Sequence, residues 1–188
     1  MCSSDLRRNA PVPGVIGIIV GITLHRRGPH ELPSSPYLLL AMLAASMVVQ
    51  LTALRATTAS DPTFVMTVLD QAVNFVFVFG VLTVFERPRR FRQTMSALLG
   101  ADIVTNLASA PLIYWHEALN PPPDTATVPS FLLLLVAVWS IDIAGLVVAR
   151  AIERPYALGV AIMLAYVFLY YAVRSTLFPQ AGGCAFIS

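Results

Sequence analysis

The chain has 188 residues, of which 57% are hydrophobic and 12% charged, with a formal net charge of +2 and a mean hydropathy of +0.74. A soluble domain carries about 25% charged residues, so this composition excludes an ordinary soluble domain; the net charge itself says little about partners, because the charges sit asymmetrically and not in a nucleic-acid-like patch. All twelve basic residues are arginine, which fits a GC-rich bacterial genome.

The first six residues, Met-Cys-Ser-Ser-Asp-Leu, match the translation of a common sequencing-adapter end and are set apart from functional argument. Residues 1–13 read as an N-terminal tail. Residues 14–24 are apolar but shorter than the roughly 20 residues a crossing needs. Arg7 and Arg8 precede this run, and Arg26 and Arg27 follow it. Crossing would strand one pair on the far side, so the run is expected to form an interfacial or re-entrant helix on the cytoplasmic face. Its Gly17 and Gly21 have the spacing that lets helices approach closely, a spacing that chance also produces in such a run. The string from His25 to Pro36 then turns at Gly28-Pro29. Arg26 and Arg27 anchor topology there and are candidate contacts for anionic headgroups or a partner.

Five long apolar runs follow, at 37–54, 64–85, 93–115, 129–149 and 156–178. Each is apolar all round, as lipid-facing helices are, and none shows the period-two alternation of barrel strands. Pro36, Pro129 and Pro155 suit helix starts, where a missing N–H costs nothing. Pro111 is expected to kink the third run near its far end. Between the second and third runs, Arg87, Arg89, Arg90 and Arg92 form a basic cluster, a topology determinant first and a lipid or partner site second. Asn120-Pro-Pro-Pro-Asp124 is a stiff connector on the opposite side. Residues 179–188 form an outer tail. The fold expected is all-α: an integral membrane bundle of five transmembrane helices, with a short N-terminal interfacial or re-entrant helix, in one membrane domain over 14–178.

Arginine sets the orientation. Ten lie on one side of the five runs and only Arg55 and Arg174 on the other. Excess arginine in short loops marks the cytoplasmic side. The N-terminus is therefore expected inside and the C-terminus outside, with Tyr114, Trp115, Tyr170 and Tyr171 at the outer interface.

Polar residues within the runs are few. Asp70 and Asn74 lie four apart on one helical face, and Asp102 and Asn106 repeat the spacing. Asp142 sits near Ser140, and Gln50 lies in the first run. At about 1.5 Å per residue across a core of about 30 Å, Asp70 and Asn74 fall about 9 and 15 Å below the outer edge. Asn106 and Asp102 fall about 11 and 17 Å below it, and Asp142 about 19 Å. The depths predict Asp70 beside Asn106 and Asn74 beside Asp102, with Asp142 level with Asp102 and all three carboxyls facing the bundle interior. A carboxyl at such depth must be protonated, hydrated, cation-bound or hydrogen-bonded. Two functions follow: hydrogen-bonded glue between helices, or a proton or cation path. A face for a membrane partner or a second copy is a third.

Enzyme chemistry finds little support. With Cys2 set aside, Cys184 alone cannot make an internal disulfide. His25, His30 and His116 lack metal-ligand spacing. There is no GxSxG elbow, P-loop, HExxH motif or dinucleotide fingerprint, so no catalytic residue, cofactor or metal is expected.

Two strings carry a family likeness: Arg26-Arg-Gly-Pro-His-Glu-Leu-Pro-Ser-Ser-Pro36 and Phe91-Arg-Gln-Thr-Met-Ser-Ala-Leu-Leu-Gly100. With five runs, a cytoplasmic arm and an outer C-terminus, the chain resembles the Yip1 superfamily, and more closely its small proteobacterial members, over most of 14–178. The resemblance implies a small bacterial membrane protein of unknown function with no active site to carry over; the chain itself reads as a non-enzymatic protein of the bacterial inner membrane that works through helix and partner contacts. Eukaryotic relatives act in vesicle traffic and bind small GTPases and one another; their long cytosolic domain is not expected in this chain. The alternative is a small proton- or cation-conducting protein using Asp70, Asp102 and Asp142. A reporter fused after Phe178 should be active outside and one fused after Arg89 inside; the reverse pattern, or four or six crossings, would sink the arginine argument.

Overall fold

The computed structural model describes residues 14–26, 32–33, 35–57, 63–122 and 125–177. The adapter-like hexapeptide, both tails, Arg27, His30 and the residues 123–124 of the outer connector lie outside the described residues, as do the side chains of Arg55 and Arg174. Helices make up the regular structure: α1 (Val15–Thr23), α2 (Pro36–Thr57), α3 (Thr63–Val84), α4 (Phe91–Leu119), α5 (Val128–Ile152) and α6 (Tyr156–Leu177), with a short 3-10 turn at Pro88–Arg90 leading into α4. Apolar segments long enough to cross a bilayer lie in α3, α4, α5 and α6, and the apolar part of α2 is the shorter Pro36–Thr52. The protein is an all-α, multi-pass membrane bundle.

Burial is inverted, as lipid requires. In α2 the one buried residue among those described is Ser46, at 0% exposure, while Leu40 is 61% and Val48 60% exposed. Hydrocarbon solvates the leucines, and the hydroxyl must find its partner inside. Pro111 removes one backbone donor within α4, yet the helix runs unbroken through it to Leu119.

Three helices end in the same way and at the same end of the bundle. His25, Glu86 and Glu153 adopt left-handed backbone angles, with φ of 62°, 59° and 55°. Behind each, the next amide reaches back a full turn: Arg26 to the Gly21 carbonyl, Arg87 to Leu82 and Arg154 to Ala149, at 2.8, 2.7 and 3.0 Å. This is the Schellman closure, made here without glycine. At the other end, Thr127 caps α5 by accepting from the Ser130 amide, and its hydroxyl lies 3.1 Å from His116 Nδ1, tying α4 to α5.

Packing is uneven along the bundle axis. The buried apolar cluster gathers at the arginine-rich end: Ile22 of α1, Leu82 of α3, Met95 and Leu99 of α4, and Ile143 and Val147 of α5. The nine-residue α1, about 14 Å long, packs mainly on α4 and supplies part of that cluster. The pairs α2–α4, α4–α5 and α5–α6 are closely packed, whereas α3 touches its neighbours far less. Toward the arginine-rich end its Phe75 and Phe79 meet Phe91 edge-on at 5.8 and 5.6 Å between ring centroids, and toward the other end hydrogen bonds at Gln71 and Asp70 hold it.

Small residues explain the close pairs. A Cβ on Gly159 would sit 2.1 Å from the Gly145 carbonyl oxygen and 2.7 Å from the Ala149 methyl; on Gly100 it would meet Ile19 at 2.9 Å. Close approach is thus carried by Gly100, Gly145 and Gly159. Of the GxxxG pair in α1, Gly21 is buried and Gly17 is exposed. Gly159→Val should lower unfolding free energy in detergent by about 1–3 kcal/mol or more, since backbone cannot retreat as a side chain can. Gly80→Ala, which meets nothing within 4 Å, should be neutral or stabilising by about 0.5–1 kcal/mol. A Gly159→Val protein as stable as the parent by circular dichroism melting would refute the contact.

Candidate functional site

The arginine-rich half is apolar and closely packed; the opposite half of the bundle is not filled. There a cleft of about 420 Å³ lies among α2, α3, α4, α5 and α6, and among the residues lining it are Asp70, Asn74, Asp102 and Asn106. Polar residues reach it through repeated four-residue spacing, which stacks side chains on one helical face. Gln50 projects from α2, with Ser46 one turn before it buried behind the lining, and Asp102 and Asn106 project from α4. From α3 come Thr67 with Gln71, and Asp70 with Asn74.

Asp102 organises this region. Its Oδ2 accepts from the Ser46 hydroxyl at 2.7 Å and from Gln50 Nε2 at 2.9 Å, and its Oδ1 accepts from Asn106 Nδ2 at 2.8 Å. All these donors are neutral. Because the Ser46 proton is spent on Asp102, its oxygen accepts from Gln71 Nε2 at 3.2 Å. Gln71 is 6% exposed, and its Oε1 has no hydrogen-bond partner. Asp70 accepts from the Tyr170 hydroxyl at 3.0 Å. Tyr166 stands beside Tyr170 with ring centroids 6.3 Å apart and stacks on Phe77 at 5.0 Å.

The sequence-based pairings need correction. Asp102 pairs with Ser46, Gln50 and its own-helix Asn106, not with Asn74, and Asp70 pairs with Tyr170, not with Asn106. The depth argument assumed that α3 and α4, consecutive and antiparallel, touch along their length. They diverge instead, α2 takes the place beside α4, and the cleft lies where the pairs were expected. Asp142 departs further. It meets His25 Nε2 at 2.9 Å and the Tyr156 hydroxyl, and its side chain is 34% exposed. Ser140 and Ala144 line the cleft. At 100° per residue Asp142 lies about 200° from each, on the opposite face of α5. Tyr170 likewise turns inward to Asp70, whereas Tyr114, Trp115 and Tyr171 are exposed.

At the arginine-rich end, Arg87 Nη2 lies 2.6 Å from Glu153 Oε2, and Arg90 Nη2 bonds the other carboxylate oxygen. Arg90 Nη1 also approaches the Arg150 and Ala151 carbonyls at 3.4 Å, groups that the end of α5 leaves without helical partners. Arg154 lies 6.0 Å from the Phe85 ring centroid. Arg87 and Arg90 therefore clamp the α3–α4 turn to the α5–α6 turn. Arg26, Arg89 and Arg92 are exposed and remain the candidates for headgroups or a partner.

No family model, curated protein or solved structure matches the chain. The likeness to the Yip1 superfamily rests on the two sequence strings and the topology alone.

Asp102→Leu should cost about 1–3 kcal/mol, because it takes the acceptor from the fully buried Ser46 hydroxyl and from Gln50. Asp102→Asn, whose amide oxygen still accepts from both, should cost about 1 kcal/mol or less. Denaturant titration in detergent separates the two variants, and equal losses would mean that the hydrogen bonds contribute nothing to α2–α4 packing.

Proposed function

We propose that this multi-pass protein resides in the bacterial inner membrane, N-terminus cytoplasmic and C-terminus outside, as a Yip1-like bundle without catalysis of its own. Its working part is the polar cleft, which takes up a proton or small cation from the outer side. The observation that carries this reading is Asp102, a buried carboxyl whose hydrogen-bond donors are all neutral. Hydrogen bonds from neutral donors do not cancel a charge, so this carboxyl needs a proton or a counter-cation in place. The cleft beside it supplies the route, and the apolar cluster beneath supplies the barrier.

A second reading, helix glue within a scaffold for a membrane partner, is favoured by one feature. Asp102 joins α2 to α4 through Ser46 and Gln50, side chains that find no hydrogen-bonding solvent in lipid. Flux separates the readings. Proteoliposomes of the unaltered protein should show proton or monovalent-cation flux above that of empty liposomes, and Asp102→Asn should bring it to background while the helical circular dichroism signal stays unchanged. Background flux from the unaltered protein would leave the scaffold reading standing and end the conduction reading.

A further inference from the structure

We propose that the cleft is a binding site for a small organic ammonium ion; this rests on reading the cleft as a cation site and names the class of cation. Size is the first argument. About 420 Å³ falls within the range of roughly 300–1,000 Å³ typical of small-molecule pockets. It is many times the roughly 30 Å³ that one water occupies. A single inorganic ion would rattle in it. Nor is there a ligand shell for a bare metal: among the described residues, no three Asp, Glu, His or Cys side chains converge.

Charge is the second. Asp70 and Asp102 line the cleft, and among its described lining residues there is no Arg, Lys or His. Asp102, whose hydrogen-bond donors are all neutral, favours positive charge beside it in a low-dielectric wall, where it is weakly screened.

The third argument is an acceptor without a donor. Gln71 is 94% buried by its 6% exposure, lines the cleft, and has one amide end already spent on Ser46. Its Oε1 is unsatisfied. With Asp102 ionised, the Ser46 hydroxyl donates to the carboxylate, its oxygen takes the Gln71 N–H, and the amide oxygen is the end left without a partner. A buried acceptor left unpaired is costly, and an ammonium N–H or an alcohol on the ligand is the group that would satisfy it.

The fourth is aromatic. The rings of Tyr166 and Tyr170 line the same cleft. Tyrosine faces beside carboxylates recognise ammonium groups through the negative ring quadrupole. An inorganic monovalent ion surrenders strongly held water to enter such a site, whereas an alkylated ammonium surrenders little and gains contact with the rings.

The test uses the full chain in nanodiscs, with radiolabelled choline as probe and 3,3-dimethylbutan-1-ol, its neutral carbon isostere, as competitor. Choline should bind saturably. The isostere should compete at least about tenfold more weakly, since it has the same shape and no charge. Asp102→Asn should weaken choline binding by about tenfold or more, and Tyr166→Leu by several-fold. Tyr166→Phe, which keeps the ring, should stay within about twofold of the parent. If Asp102→Asn does not fold, the isostere comparison and the Tyr166 pair decide the matter. An isostere that competes as well as choline, or binding indifferent to both Asp102→Asn and Tyr166→Leu, overturns the proposal. No binding of choline or of ethylammonium, in protein that still carries Asp102-dependent proton or sodium flux, overturns it and leaves the proposed function intact. Neither binding nor flux ends both.

Discussion

The contact between the Ser46 hydroxyl and the Asp102 carboxyl decides how this bundle is arranged. α2 has leucine and valine on nearly every side, and lipid satisfies all of them equally well. Nothing apolar in its sequence says which face should turn inward. One hydroxyl and one amide, Ser46 and Gln50, break that symmetry, because in hydrocarbon they have no other partner of comparable quality. Their partner on α4 fixes both the rotation and the depth of α2. With α2 seated against α4, α3 cannot occupy the same groove. The space between α3 and the others follows from that displacement.

At the opposite end a different force acts. There α1, α3, α4 and α5 mesh through branched aliphatic side chains, and Arg87 and Arg90 converge on Glu153. The ion pairs are roughly 40% exposed on both sides, so each contributes about 1 kcal/mol or less. Their role is geometric: they hold two turns together across the bundle. Holding one end by dispersion and the other by a few hydrogen bonds gives a molecule that is rigid below and yielding above.

Much of this was legible in the sequence, and the part that was not has a physical cause. Length and hydropathy are one-dimensional properties, and they identified the six helices. The four-residue pairing of Asp102 with Asn106 is likewise local, and it appears as a real hydrogen bond. Pairing between helices is not local. Depth along the membrane normal limits which residues can meet but is silent about which helices are neighbours. Asp70 and Asn106 have matching depths and different partners. A signal was nonetheless present. Ser46/Gln50 and Thr67/Gln71 have the same spacing as the two Asp/Asn pairs, and those weaker polar residues were overshadowed by the carboxyls. Asp142 was misplaced for a simpler reason: Ser140 was taken as its companion, although two residues apart on a helix face nearly opposite ways.

The edge-on stacking of Phe75 and Phe79 on Phe91 has a mechanical consequence. It pins the arginine-rich end of α3, so that any tilt of the helix would turn about that point and would have to break the Gln71–Ser46 and Asp70–Tyr170 hydrogen bonds at the far end. From Phe79 to Thr67 is twelve residues, about 18 Å of arm. Backbone hydrogen bonds cannot open in hydrocarbon, so α3 yields by tilting as a rod, not by unwinding. A tilt of about 10° carries the Thr67 end by about 3 Å, close to the width of one water molecule. An aromatic contact at one end of α3 would thus set how far the other end could swing once those two hydrogen bonds release, and a small change at Phe91 would be amplified with distance from it.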